Sequence, residues 1–135
     1  MRILIDTNVI LDFVLNRAPF ADDAATLFQH IERQALFAVV SASAVTDIFY
    51  LLQKEKVDAV AFLKDFLSAV DVMGVDKAII MYALYSGWTD FEDAVQAQVA
   101  IENSIDAVIT RNTKDYRRLK EIQVLTPTEL LQKIQ

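Results

Sequence analysis

Arg2-Ile3-Leu4-Ile5-Asp6-Thr7-Asn8 stands at the start of the chain. A short apolar run passes directly into a carboxylate and two small polar residues. The run reads as a buried strand. Asp6 then falls at the carboxyl end of that strand, where open α/β sheets place their ligands. Position makes this aspartate a functional candidate.

Outward from this strand, apolar strand candidates alternate with helical patterns. Asn8 to Leu15 reads as a helix, broken by Arg17-Ala18-Pro19. Asp22 to Arg33 is a second helix, with Ala25, Leu27, Phe28 and Ile31 on one side. Phe37 to Val40 is a strand, and Ser41-Ala42-Ser43 offers N-caps for a helix to Gln53. Val57 to Ala69 is helical, Val70 to Met73 a strand, and Asp76 to Tyr85 a helix closed by Ser86-Gly87. Thr89-Asp90-Phe91-Glu92 has the form of a capping box and predicts a helix to Asn103. Ala107 to Ile109 is a strand ending at Thr110, and Asp115 to Lys120 is expected to make a turn or two of helix. Gln123 to Leu125 is a last strand, and Pro127 starts the final helix. Parallel strands with right-handed helical crossovers follow, giving an α/β fold: a three-layer α/β/α sandwich.

Composition limits the alternatives. The 135 residues, 54% hydrophobic, suit one domain spanning 1–135 with a real core. Mean hydropathy is +0.29, yet no apolar stretch is long enough to span a bilayer. The N-terminus lacks the pattern of a secretory signal, so a cytoplasmic location is expected. The absence of cysteine excludes disulfides, thiolate zinc sites and cysteine nucleophiles. A single histidine, His30, cannot build a histidine-rich metal site and makes a Ser-His-Asp mechanism a poor fit. The net charge of −6 argues against broad nonspecific nucleic-acid binding. It leaves room for a nucleic-acid enzyme whose carboxylates gather around a cation.

Four acids stand in surroundings unlike those of ordinary surface charge. Asp6 follows three apolar strand residues. Asp47 lies within Val45-Thr46-Asp47-Ile48-Phe49-Tyr50. Asp93 is one turn into a helix and is followed by Ala94 and Val95. Asp115 stands just past the fourth strand. Each also has a plain structural explanation. Asp6 or Thr7 can cap the first helix, and Asp115 the turn that follows it. Asp90 suits a first-turn dipole partner. Asp47 and Asp93 can sit on solvated helix edges.

Taken together, the acids point to chemistry. Carboxylates converging on one crevice stay ionised only around a cation. Oxygen ligands without His or Cys favour Mg²⁺ or Mn²⁺. Such an ion activates water and neutralises phosphoryl charge, so hydrolysis of a phosphodiester is the natural reaction. Thr7, Asn8, Thr110 and Asn112 are short polar groups at two strand ends, placed to orient ligand carboxylates or water. Arg111, Lys114, Arg117 and Arg118 form a basic cluster beside Asp115, and Arg17 follows the first helix. They read either as a solvated face or as phosphate contacts along a bound strand.

Ile5-Asp6-Thr7-Asn8 resembles the opening of PIN-domain ribonucleases. Asp90-Phe91-Glu92-Asp93-Ala94 resembles their central acidic helix, and Thr110-Arg111-Asn112-Thr113-Lys114-Asp115-Tyr116 their strand-end motif. Thr126-Pro127-Thr128-Glu129-Leu130 resembles a common ending. These matches come in family order along essentially the whole chain. Many such proteins are VapC-like toxins of bacterial toxin–antitoxin pairs. The resemblance implies a metal-dependent endoribonuclease on a five-stranded parallel sheet ordered 3-2-1-4-5. By position it puts Asp6, Asp93 and Asp115 on metal-binding acids. Asp47 falls where the family usually has Glu, which implies contact through water. Asp90 would support the site, as would Thr7 and Thr110 at matching hydroxyl positions. Asn112 stands where some members carry Asp, which weakens the case for a second metal. An antitoxin protein, an RNA substrate and a homodimer are the implied partners, with no membrane. Phe62, Phe66, Met81, Tyr82 and Tyr85 either form an apolar contact face or fill the core.

Two other functions compete with this one. A PIN-like binding module that has lost catalysis would fit the departures at Asp47 and Asn112. Phosphatase or phosphoacceptor chemistry on another doubly wound fold would also use Asp6. Haloacid-dehalogenase phosphatases, however, usually place a second Asp where this chain has Asn8.

Overall fold

The computed structural model describes residues 1–134. Its strands are β1 (Arg2–Ile5), β2 (Phe37–Ser41), β3 (Asp71–Met73), β4 (Ala107–Ile109) and β5 (Gln123–Leu125). They form one parallel sheet in the order β3-β2-β1-β4-β5. The helices are α1 (Thr7–Val14), α2 (Ala21–Glu32), α3 (Ala42–Lys54), α4 (Ala59–Phe66), α5 (Lys77–Tyr85), α6 (Phe91–Glu102) and α7 (Pro127–Ile134). A 3-10 turn covers Thr113–Tyr116.

Alternation along the central strands explains the three layers. Successive side chains of a strand point to opposite faces. Ile3 and Ile5 enter one core with Ala38, Val40, Ala107 and Ile109, and helices α1 to α4 and α7 cover that face. Leu4 enters the other with Val39 and Val108, under α5 and α6. Register enforces this, because Leu4 lies beside Val39 on one side and Val108 on the other. Both faces are covered, so the central strands are apolar along most of their length, while the edge strands β3 and β5 carry Asp71 and Gln123. No helix among the described residues is long and apolar enough to cross a membrane.

The sheet order places β1 at the centre, where the chain reverses its direction of growth. From β1 it adds β2 and β3 on one side, then returns to add β4 and β5 on the other. The crevice of such a sheet opens outside the carboxyl ends of its middle strands. Asp6 and Thr110 follow β1 and β4 directly, and the Asp6 main-chain N–H donates to the Ile109 carbonyl at 2.9 Å.

Helix starts were legible to within a residue or two, with two departures. Thr89 does not cap α6: Asp90 does, accepting from the Asp93 main-chain N–H at 3.0 Å. Aspartate is the stronger N-cap acceptor, and its use frees Glu92 from a reciprocal bond. The reciprocal box forms instead at α7, where Thr126 and Glu129 exchange bonds of 2.9 and 3.1 Å with Pro127 at the first helical position. The second departure follows β4. A helical turn beginning at Asp115 was expected, but Asp115 lies inside the 3-10 turn and Asn112 precedes it.

Candidate active site

Asp6 is 7% exposed and is surrounded by donors. Its Oδ1 accepts from the Thr7 main-chain N–H at 2.8 Å and from Gln96 Nε2 at 2.7 Å. Its Oδ2 accepts from Thr110 Oγ1 at 2.8 Å and, at longer range, from Asn8 Nδ2 at 3.4 Å. The cap of α1 and the site are therefore the same carboxylate. Gln96 is itself buried and accepts from Ser41 Oγ at 3.3 Å. Side chains from β2, from α6 and from Thr110 just past β4 thus set the orientation of one group at the end of β1.

These donors are all neutral, and the charges near Asp6 are negative. Burial pushes its carboxyl above the usual carboxylate range, and the charge of Asp115 adds to this. The bonds from Thr110 and Thr7 oppose the rise. Asp93 is half-buried on α6, and its pKa is raised to about 7, first by burial and then by the charges of Asp6 and Asp90. Glu92 is raised as well, by burial and then by neighbouring Asp47. Asp6, Glu92 and Asp93 are each pushed up in part by neighbouring acids, which marks a cluster short of positive charge.

Two clefts meet at Asp93. The smaller, about 40 Å³, is lined by Asp6, Thr7, Ser43, Asp47, Glu92, Asp93 and Gln96. That is room for a water molecule or a cation. The larger, about 500 Å³, is lined by Trp88, Thr89, Asp90, Asp93, Lys114, Asp115, Arg117 and Arg118. That is large enough for an extended ligand. Asp6, Asp47 and Asp93 therefore share one cleft, while Asp115 joins Asp93 in the other. The donor set is all oxygen, which suits a hard divalent cation. Among the described residues no three acids are gathered into a group ready to hold a metal. The site fits such an ion by donor chemistry and charge deficit rather than as a closed cage.

The basic cluster of the sequence divides in the fold. Arg111 leaves it altogether. Its Nε and Nη2 donate to the two oxygens of Asp12 at 3.0 and 3.1 Å, and its guanidinium lies 4.3 Å from the centre of the Phe20 ring. Arg17 approaches Asp12 at 3.6 Å. Both side chains serve a buried carboxylate and line neither of the clefts that meet at Asp93. Arg118 donates to the Gly87 carbonyl at 2.6 Å. Gly87 has φ +76, and a Cβ there would press on the same guanidinium at 3.3 Å. Lys114 and Arg117 line the larger cleft without an ion pair among the described residues. Asn8 and Asn112 shape the strand-end loop: Asn8 Oδ1 accepts from the Arg111 main-chain N–H at 3.2 Å, and the Asn112 N–H donates to Thr110 Oγ1 at 3.1 Å.

Sequence reasoning overlooked Asp12, Glu92, Gln96 and Tyr116. Asp12 carried a signal, since it interrupts Val9-Ile10-Leu11 and Phe13-Val14-Leu15 much as Asp47 interrupts its own helix. Gln96 lies three residues after Asp93 on the same helical face. Tyr116 carried none, because a tyrosine after a strand end reads as core.

A family model described as PIN domain matches residues 2–114. No curated protein sequence matches the chain significantly. Among solved structures, a toxin–antitoxin complex from Klebsiella pneumoniae is similar at 22% identity and TM-score 0.69, over 92% of this chain and 96% of that one. VapBC-1 from nontypeable Haemophilus influenzae is similar at 17% identity and TM-score 0.70, over 95% and 99%. Mycobacterium tuberculosis VapC20, a sarcin-ricin-loop-cleaving toxin, is similar at 18% identity and TM-score 0.64, over 78% and 86%. At these identities the structures speak for the fold. The family match covers most of the chain, and its sheet order and strand-end acids accord with it: the chain belongs to the PIN domain family.

Proposed function

We propose that this chain is a Mg²⁺- or Mn²⁺-dependent endoribonuclease, acting in the cytoplasm as the toxin of a type II toxin–antitoxin pair. One observation carries the reading: Asp6 and Asp93 share one cleft, the charge of Asp6 raises the Asp93 carboxyl, and neither acid has an ion-pair partner among the described residues. Asp6, Asp93 and Asp115 would hold the cation, with Asp47 acting through water. When bound, the ion supplies Lewis-acid activation of water and charge neutralisation at the phosphoryl group. Thr7, Asn8, Thr110 and Gln96 keep the Asp6 carboxylate in one orientation. Asp90 fixes the first turn of α6 and with it Asp93. Lys114 and Arg117, beside Asp93 and Asp115, hold RNA phosphates in the larger cleft.

The toxin role and the antitoxin partner rest on the similar structures, several of which are toxin–antitoxin complexes. A homodimer is also part of the proposal. Helix α5 is apolar on most sides but buries only Ile79 and Ala83, leaving Met81, Tyr82, Leu84 and Tyr85 exposed. A second copy is the occupant proposed for that face, with sedimentation equilibrium as its check. Phe66, by contrast, is core, and Phe62 packs against it at 5.3 Å.

The test is cleavage of a panel of structured and single-stranded RNAs by purified, antitoxin-free protein with Mn²⁺. Asp6→Asn and Asp93→Asn should each lower cleavage by at least about 10²-fold with circular dichroism unchanged. Full activity in either variant would sink the assignment. The binding-module reading draws on the lack of a closed acidic cage. It predicts instead a wild type that binds no Mn²⁺ yet binds a protein partner tightly.

A further inference from the structure

Tyr116 is 1% exposed, at the end of the 3-10 turn that follows β4. Its ring packs in the core beneath α5 and α6 and meets Trp88 edge-on, 5.8 Å between centres at 77°. Packing of this kind leaves the ring little freedom, so the direction of its hydroxyl is set. That hydroxyl lies close enough to Asp6 and Asp93 to feel both charges. It approaches both carboxylates closely enough to act on them, yet its geometry falls short of an ordinary hydrogen bond to either. A buried hydroxyl without a partner is costly, and an apolar core would be better served by phenylalanine.

The missing partner can be assigned by elimination. The Asp6 carboxylate already accepts from Thr7, Asn8, Gln96 and Thr110. Asp93 is different. Its main-chain N–H donates to Asp90, but among the described residues no hydrogen bond of ordinary geometry reaches its carboxylate, the Tyr116 hydroxyl being the group that approaches it. Behind the cleft a buried donor without an acceptor thus lies near a carboxylate without a donor, Tyr116 sharing its core cluster with Ala94, the residue after Asp93.

We propose that Tyr116 is a positioning residue of the acidic site, its hydroxyl being the donor that fixes the Asp93 carboxylate once a divalent cation is bound. The inference rests on the metal reading above and adds to it a residue that touches no metal. Groups that orient a ligand in this way are typically worth about 10- to 100-fold in metal affinity. A hydroxyl kept for that purpose contributes nothing to the metal-free fold, which separates it from a structural tyrosine.

The experiment compares wild type with Tyr116→Phe, which keeps the ring and removes only the oxygen. Mn²⁺ affinity is measured by calorimetry and thermal stability without metal. The expected result is Mn²⁺ affinity lowered about 10-fold or more, with a metal-free Tm unchanged or higher. Equal Mn²⁺ affinity in the two proteins overturns the proposal. A clear fall in the metal-free Tm also overturns it, since the oxygen would then be serving the fold. A wild type that binds no Mn²⁺ removes the metal reading itself, and that outcome is distinct from the other two.

Discussion

Asp6 and Asp12 stand near the two ends of α1, and both are buried, at 7% and 2% exposure. Asp12 is met by cations: Arg111 grips both its oxygens and Arg17 stands behind. Asp6 is met by an amide, a hydroxyl and a main-chain N–H, with further acids beyond them. A buried charge is retained only where it is paired or binds a cation. The fold completes the pairing at Asp12 and leaves it incomplete at Asp6. The two carboxylates share a helix and a degree of burial. What separates them is the charge of their surroundings, which fits a structural role for Asp12 and the metal-binding role proposed for Asp6.

The sharpest way to break the comparison is the same substitution at both positions. Asp12→Asn strands a partly buried guanidinium, since Arg111 remains only 30% exposed. Removing one partner of such a pair should cost about 2–4 kcal/mol, at the lower end of the range for buried pairs. Asp6→Asn keeps an oxygen for the helix cap and relieves repulsion, so metal-free stability should hold or rise. Urea denaturation without metal checks both. Equal destabilisation by the two would erase the distinction.

A smaller effect should appear in the pH dependence of the metal-free protein. Asp93 keeps its proton in the fold up to about 7, against 3.8 for an unperturbed aspartate. Between those values the unfolded chain binds fewer protons than the native state. Stability is therefore full at the acid end of the window and falls as pH rises through it. Because Asp93 is half-exposed, solvent screening makes the slope modest. Asp93→Asn should flatten it, as should saturating Mn²⁺. A wild-type stability that rises across this window would contradict the charge-deficit account.

The smallest effect separates the two halves of the basic cluster. Arg117→Ala should weaken RNA binding similarly across sequences and reduce the salt slope of binding by about 1. Arg111→Lys should leave that slope unchanged, because Arg111 is committed to Asp12. Filter binding over a range of salt reads both.

The contrast also explains what the sequence disclosed. Ile3, Leu4 and Ile5 announced a buried strand, and the strands at Ala107–Ile109 and Gln123–Leu125 were bounded just as clearly. Pattern and punctuation are local, so these elements could be read from neighbours alone. The strand-end acids were legible because carboxylates are rare beside such runs. The division of Arg111 from Lys114 and Arg117 was not. Three residues apart in sequence, Arg111 and Lys114 look like one face, and only the packing of α1 against the strand-end loop turns Arg111 toward Asp12. Gln96 and Tyr116 were hidden for the same reason, since a neutral side chain becomes informative only when its partner is known. Thr89 misled because two capping residues stood next to each other and the stronger acceptor prevailed.

The most direct test of the central claim is a calorimetric titration with Mn²⁺ of wild type, Asp6→Asn and Asp12→Asn. The account predicts that wild type binds, that Asp6→Asn loses binding, and that folded Asp12→Asn retains it. Absence of binding in wild type, or Asp6→Asn binding as wild type does, would contradict it.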